Sequence, residues 1–323
     1  MWTIAPYLFP MGITIAANLG IQRRGWRLLA YVLLILLNAL VWMGGVLLVA
    51  VPIISQVRSA APGAALPATL FTWLGLSLAA SALIGWALLL KPVRVGLSRF
   101  LRVDPESPVH TTALMFAVHL LGASVAVLPA AQSLLSRVSL NSIGPDFLVL
   151  GQAAFVAFAL AGVGLGIRRD GRQTLRRLGL HRPSTRQLKT ALWMILGLLA
   201  FDLVVSKMWQ HLWPINFEVV MQASDQLFAS FSSPYGALLL GLSAGIGEET
   251  LFRGALQPRL RIPLTSALFA LGHVQYGLSP AIVEIMVVGL ALGWLRERSN
   301  TTTCVVVHSG YNFLNMLLMP FWT

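Results

Sequence analysis

The amino-acid sequence predicts an all-α fold, a polytopic transmembrane helical bundle of about ten spans. Three observations carry this expectation. Of 323 residues, 57% are hydrophobic and only 11% charged, with a mean hydropathy of +0.77, whereas soluble domains run to about 25% charged. Apolar runs of membrane length recur along the whole chain. The cations between those runs alternate in density, as the positive-inside rule requires.

Taken in order, the runs fall at 3–21, 28–54, 68–90, 111–131, 147–167, 190–206, 234–255, 263–278, 281–295 and 302–319. The eighth and ninth are short. No basic residue precedes Arg23, so the first run reads as a span rather than a cleaved signal peptide. Laid on ten spans, 20 of the 23 Lys and Arg fall on one face and three on the other. That places both termini outside and the basic face in the cytoplasm. The clustering of cations between apolar runs also argues that the net charge of +12 serves topology rather than a nucleic-acid partner. The single cysteine, Cys304, excludes an intrachain disulfide.

The linker 168–189, RRDGRQTLRRLGLHRPSTRQLK, holds eight cations in 22 residues. It reads as a surface against anionic headgroups, and it divides the chain. The expected organisation is an N-terminal transmembrane extension of about five spans (1–167), this basic cytoplasmic linker (168–189) and a C-terminal core (190–323). No repeat relates the two halves, which argues against a transporter built on inverted repeats.

Polar residues in the C-terminal spans are few and placed at depth. GIGEETLFRG, residues 245–254, carries Glu248, Glu249 and Arg253. A charge at the centre of a membrane helix costs roughly 2.5–3.5 kcal/mol on insertion scales. His273 follows Phe269 by four residues, and Asn312 follows His308 by four, so each pair shares a helical face. At 1.5 Å per residue, Glu248 and His273 lie roughly 15 Å, and His308 roughly 12 Å, from the same basic side. Three helices thus bring polar groups to one level. Glu249 and Arg253 have the i,i+4 order that favours an ion pair. Glu248, rotated about 100° away, lacks that partner and is the better general base. GxxxG pairs at Gly241/Gly245 and Gly289/Gly293 suit close helix packing.

The ordered triple Glu248-Glu249-x-x-x-Arg253, Phe269-x-x-x-His273 and His308-x-x-x-Asn312 resembles the three motifs of the CPBP family, the CAAX proteases and bacteriocin-processing (Abi-type) intramembrane enzymes. The LGLHRP stretch, 178–183, resembles the segment preceding that family's core, and the likeness covers roughly 178–318. It implies a CAAX-protease-like core with glutamate-type endopeptidase activity on membrane-associated proteins or peptides. By position it implies that Glu248 and His273 activate water and that His308 and Asn312 stabilise the oxyanion. Glu249, Arg253 and Phe269 then support the site. The expected setting is a multi-pass integral membrane protein of a bacterial cell membrane, its partners the bilayer and a protein or peptide substrate. No cofactor is expected.

Other readings stay open at this point. Zinc or another divalent metal could use Glu and two His, although no HExxH occurs. Serine chemistry lacks GxSxG, and Ser309 looks incidental. A non-proteolytic immunity or regulatory protein of the same fold would keep the motifs without cleavage. A channel or transporter would need further polar residues, and the N-terminal half offers mainly His119, read as a helix-packing group. Glu284 and Asp202 read as outer-end or helix-N-terminal carboxylates, apart from the site.

Overall fold

A computed structural model describes residues 5–58, 68–131 and 144–318. Residues 3, 4 and 319 of the expected end spans, and Arg137, lie outside the described residues. Among those described, the chain is helical, with no strand beyond an isolated bridge between Leu165 and Arg169.

The N-terminal half contains α1 (Ala5–Leu19), α2 (Arg24–Arg58), α3 (Ala68–Leu89), the short α4 (Lys91–Ser98), α5 (Pro108–Val127) and α6 (Pro145–Val163). The short α7 (Gly171–Leu178) and the long α8 (Thr185–Leu212) follow, then α9 (Pro214–Phe228) and α10 (Pro234–Glu249). A π-helical turn, Thr250–Leu256, leads into α11 (Gln257–Leu271), and α12 (Pro280–Arg298) and α13 (Thr301–Leu318) end the described chain. The ends obey local chemistry. Gly164 and Gly179 close α6 and α7 at φ 87° and 71°, where a side chain would be strained. Asp170 with Gln173, and Ser184 with Gln187, form capping boxes that start α7 and α8.

Five helical segments are long and apolar enough to cross a membrane: Arg24–Ala50, Thr69–Leu89, Pro108–Val127, Pro145–Val163 and Thr185–Leu212. A sixth is reached if Pro214–Phe231 and Pro234–Leu271, bent by 99°, count as one span. The expected ten are not matched on length and composition. Two of the missing spans have physical causes: α12 carries Glu284, Arg296, Glu297 and Arg298, and α13 carries His308, Asn312 and Asn315; α1 is described only from Ala5.

The expected seventh and eighth spans form one continuous helical tract that doubles back. A straight helix would separate Phe252 from Phe269 by about 25 Å, yet their ring centroids lie 5.5 Å apart. The reversal falls at Arg261, with φ 63° and ψ 172°, between Pro258 and Pro263. That backbone region is nearly confined to glycine and costs about 1–3 kcal/mol for other residues. Arg261→Gly is therefore expected to raise stability by up to about 1 kcal/mol, after allowing for the added freedom of the unfolded glycine. Thermal unfolding in detergent reads this directly.

Two apolar clusters frame the C-terminal half. One joins α8, α12 and α13 through Ile195, Leu199, Leu292 and Val307. The other joins Leu88 of α3 and Leu114 of α5 to Phe252, Leu260, Leu268 and Phe269, so the two halves share one core. Helix α6 packs on α10 and on the π turn. Arg177 docks there too, donating to the carbonyls of Gly254 (3.0 Å) and Ala255 (3.5 Å), groups that a π turn leaves less well bonded. Burial and the neighbouring Arg259, Arg169, Arg296 and Arg168 push its guanidinium down to about 10. Cations from three loops thus gather on one face.

Candidate active site

The site forms where α10 passes into the π turn, and where α11 and α13 pack against that junction. The two adjacent carboxylates part company there. Glu249 is fully buried and held from two sides: its Oε2 lies 3.3 Å from Arg253 Nε, and its Oε1 lies 2.9 Å from His308 Nδ1. Among the described residues, Glu248 has no Lys or Arg in bonding contact. Its Oε1 accepts a hydrogen bond from Gln152 Nε2 at 3.0 Å, and its buried Oε2 has no hydrogen-bond partner. That second oxygen faces His273 Nε2 at 4.0 Å.

His273 differs from its expected position. Helix α11 stops at Leu271, and His273 follows it with φ −90° and ψ 50°, outside the helix. Its contact with Phe269 survives in another form. Nδ1 donates to the Phe269 carbonyl at 2.8 Å, one of the carbonyls that a helix end leaves free. That bond turns the other ring nitrogen, Nε2, toward Glu248.

Phe269 holds these parts together. Its ring lies 4.9 Å from His273 and 5.7 Å from His308. The Arg253 guanidinium carbon stands 4.7 Å from its centroid. Arg253 also donates to the Gly289 carbonyl (3.3 Å), and Gln257, one turn on, donates to that of Gly293 (2.8 Å). The glycines noted on α12 thus let its backbone come within reach of both side chains. Gly241 and Gly245 perform the matching service against α13: a methyl on Gly241 would meet the Ser309 carbonyl oxygen at 2.7 Å. Asn312 lies one turn beyond His308, half-buried, its side chain without a hydrogen bond to any described residue.

Glu248, Glu249, Arg253, Phe269, His273 and His308 therefore meet in one place, with Asn312 on the adjoining turn. Sequence reasoning missed Gln152, Gln257 and Tyr276, whose ring stacks on His273 at 6.4 Å. A polar residue deep in LVLGQAAF deserved the same suspicion that fell on the glutamates. Glu284 and Asp202, read separately as outer-end or helix-N-terminal carboxylates, lie together. Glu284 is buried, accepts from the Tyr311 hydroxyl at 3.3 Å and lies within hydrogen-bonding reach of Asp202, which accepts from Asn315 at 2.7 Å. Three helices, α8, α12 and α13, build that pair. His119 behaves as read: Nδ1 donates to Ser81 Oγ at 3.1 Å, while that hydroxyl donates to the Leu78 carbonyl. Among the described residues, no group of three or more His, Cys, Asp and Glu is arranged to hold a metal ion.

Residues 230–314 match the family described as Type II CAAX prenyl endopeptidase Rce1-like. That segment of the chain is similar to an Rce1-like core. The match spans about a quarter of the 323 residues and contains all seven motif positions, from Glu248 to Asn312; LGLHRP lies outside it. No curated protein and no solved structure matches the chain. Its apolar helices are those of an integral membrane protein, and residues 230–314 within it are similar to the CAAX protease type.

Proposed function

We propose that the protein is a glutamate-type intramembrane endopeptidase in which Glu248 and His273 activate a water against a peptide carbonyl. The observation that carries this reading is the pair of acceptors facing each other, Glu248 Oε2 and His273 Nε2, 4.0 Å apart. That separation is too long for a direct hydrogen bond and suits one water between two acceptors. Each group is oriented by a bond on its far side, from Gln152 and to Phe269.

In the proposed reaction, Glu248 takes a proton from the water as its oxygen bonds to the carbonyl carbon. The carbonyl electrons move onto the oxygen. His308 and Asn312 supply donors to that oxyanion. With Nδ1 turned to Glu249 at 2.9 Å, His308 offers a proton from Nε2 as the imidazolium, whose charge the carboxylate balances. Collapse breaks the C–N bond, and the proton held by Glu248 passes to the leaving amine. The proposed reaction uses no metal, because Glu248 and His273 hold the water between them.

The Rce1-like description makes a prenylated CAAX-type peptide the first substrate to try. The full chain in liposomes, given a quenched fluorescent farnesylated CAAX peptide and its unprenylated twin, tests this. Cleavage of the farnesylated form, lost in Glu248→Gln, supports the proposal. Cleavage that persists in Glu248→Gln would contradict it. A folded, inserted wild type that cuts neither peptide would favour an immunity or regulatory role. His308→Ala and Asn312→Ala are each expected to lower kcat by about 10²–10³ with little change in KM, as for loss of one oxyanion donor; steady-state kinetics on the same peptide checks this.

A further inference from the structure

We propose that Gln152, on α6, is a positioning residue for the Glu248 carboxylate, so that the N-terminal half completes a site otherwise built from the Rce1-like core. This rests on the peptidase reading for its catalytic meaning, though not for its geometry. Gln152 lies 96 positions before Glu248 and outside the family match, yet its amide donates to Glu248 Oε1 at 3.0 Å. Its own Oε1 is buried without a partner, so among the described residues the side chain makes no other hydrogen bond.

The contact is built rather than incidental. Gly247, immediately before Glu248, is where α6 crosses α10. A methyl there would run into the Gln152 side-chain oxygen, reach within 2.8 Å of its Cβ and lie 2.9 Å from its backbone carbonyl oxygen. One turn along α6, the Phe155 ring meets Phe252 edge-on at 6.3 Å, which fixes the rotation of α6 about its axis. The choice of side chain is also informative. Glu249 receives two cationic partners, which hold it ionised and spent. Glu248 receives a neutral amide, which orients one oxygen without balancing the charge that a base needs. Fixing Oε1 leaves Oε2 aimed at His273.

Two variants on different helices test this: Gln152→Met, which keeps the size and removes the donor, and Gly247→Ala, which pushes the side chain away from outside. On the farnesylated peptide each is expected to lower kcat by about 10- to 100-fold, the penalty for a small misplacement of a catalytic group, with KM within about twofold. A second readout needs no turnover. A hydrophobic carbodiimide adds only to a protonated carboxyl, and a carboxylate that loses a donor holds its proton more readily. Mass spectrometry of the peptide bearing Glu248, with Glu284 as internal reference, should therefore give labelling at least about threefold faster in both variants. Unchanged labelling of Glu248 in Gln152→Met, with the variant folded, would overturn the proposal. So would faster labelling with an unchanged kcat. Failure of the wild type to cut the peptide would count against the peptidase reading alone, because the labelling ratio is independent of it.

Discussion

Glu248→Gln is expected to reduce peptide cleavage by about 10²–10⁴-fold, the usual contribution of a positioned general base, while leaving the fold intact. The substitution is nearly isosteric. It keeps an oxygen for the Gln152 amide and removes only the ability to accept and return a proton. Among the described residues, Glu248 has no Lys or Arg in bonding contact, so no buried Lys or Arg is left unbalanced and the unfolding midpoint should hardly move. Activity that survives, or a large loss of stability, would mean that Glu248 is a structural group and that the division of labour between the adjacent carboxylates is wrong.

Arg253→Met is expected to have the largest effect on stability, about 3–5 kcal/mol, because it removes one partner from a buried ion pair. Arg253 is fully buried, 3.3 Å from Glu249, bonded to the Gly289 carbonyl and packed on the Phe269 ring. Its loss leaves the Glu249 carboxylate in an apolar interior with His308 as its remaining cationic partner. Combining it with Glu249→Gln should recover part of the loss, since a neutral pair is cheaper to bury than a lone charge. Arg253→Lys should rescue poorly, because an ammonium cannot repeat the planar guanidinium's reach to carboxylate, carbonyl and ring together. Unfolding midpoints or inactivation half-lives in detergent measure all three. A loss below about 1 kcal/mol for Arg253→Met would remove Arg253 from the supporting frame.

Much of this was legible because helical spacing is local. The i,i+4 pairing of Glu249 with Arg253 follows from sequence alone, and so does the break between the runs 234–255 and 263–278. The likeness to an intramembrane protease core rested on three short motifs and is borne out over residues 230–314. What escaped was long-range or depended on irregular backbone. Gln152 reaches Glu248 across 96 residues, and Asp202 meets Glu284 through three helices; no periodicity announces such contacts. His273 leaves its helix at Gly272, so the direction of its Nε2 is set by a helix end rather than by a helical face. The π turn after Glu249 lies where α6, α7 and α12 contact it, neighbours distant in sequence. The short helices α4, α7 and α9 were lost for another reason, since apolar run length finds spans and passes over amphipathic segments.

The central claim is that Glu248 and His273 together hydrolyse peptide bonds at the membrane. Its most direct test is a comparison of protein termini in membranes from cells making the wild type or Glu248→Gln at equal levels. The account predicts at least one new terminus, from a membrane-associated protein, that is present with the wild type and missing with the variant. Identical sets of termini, with both proteins inserted and folded, would contradict it.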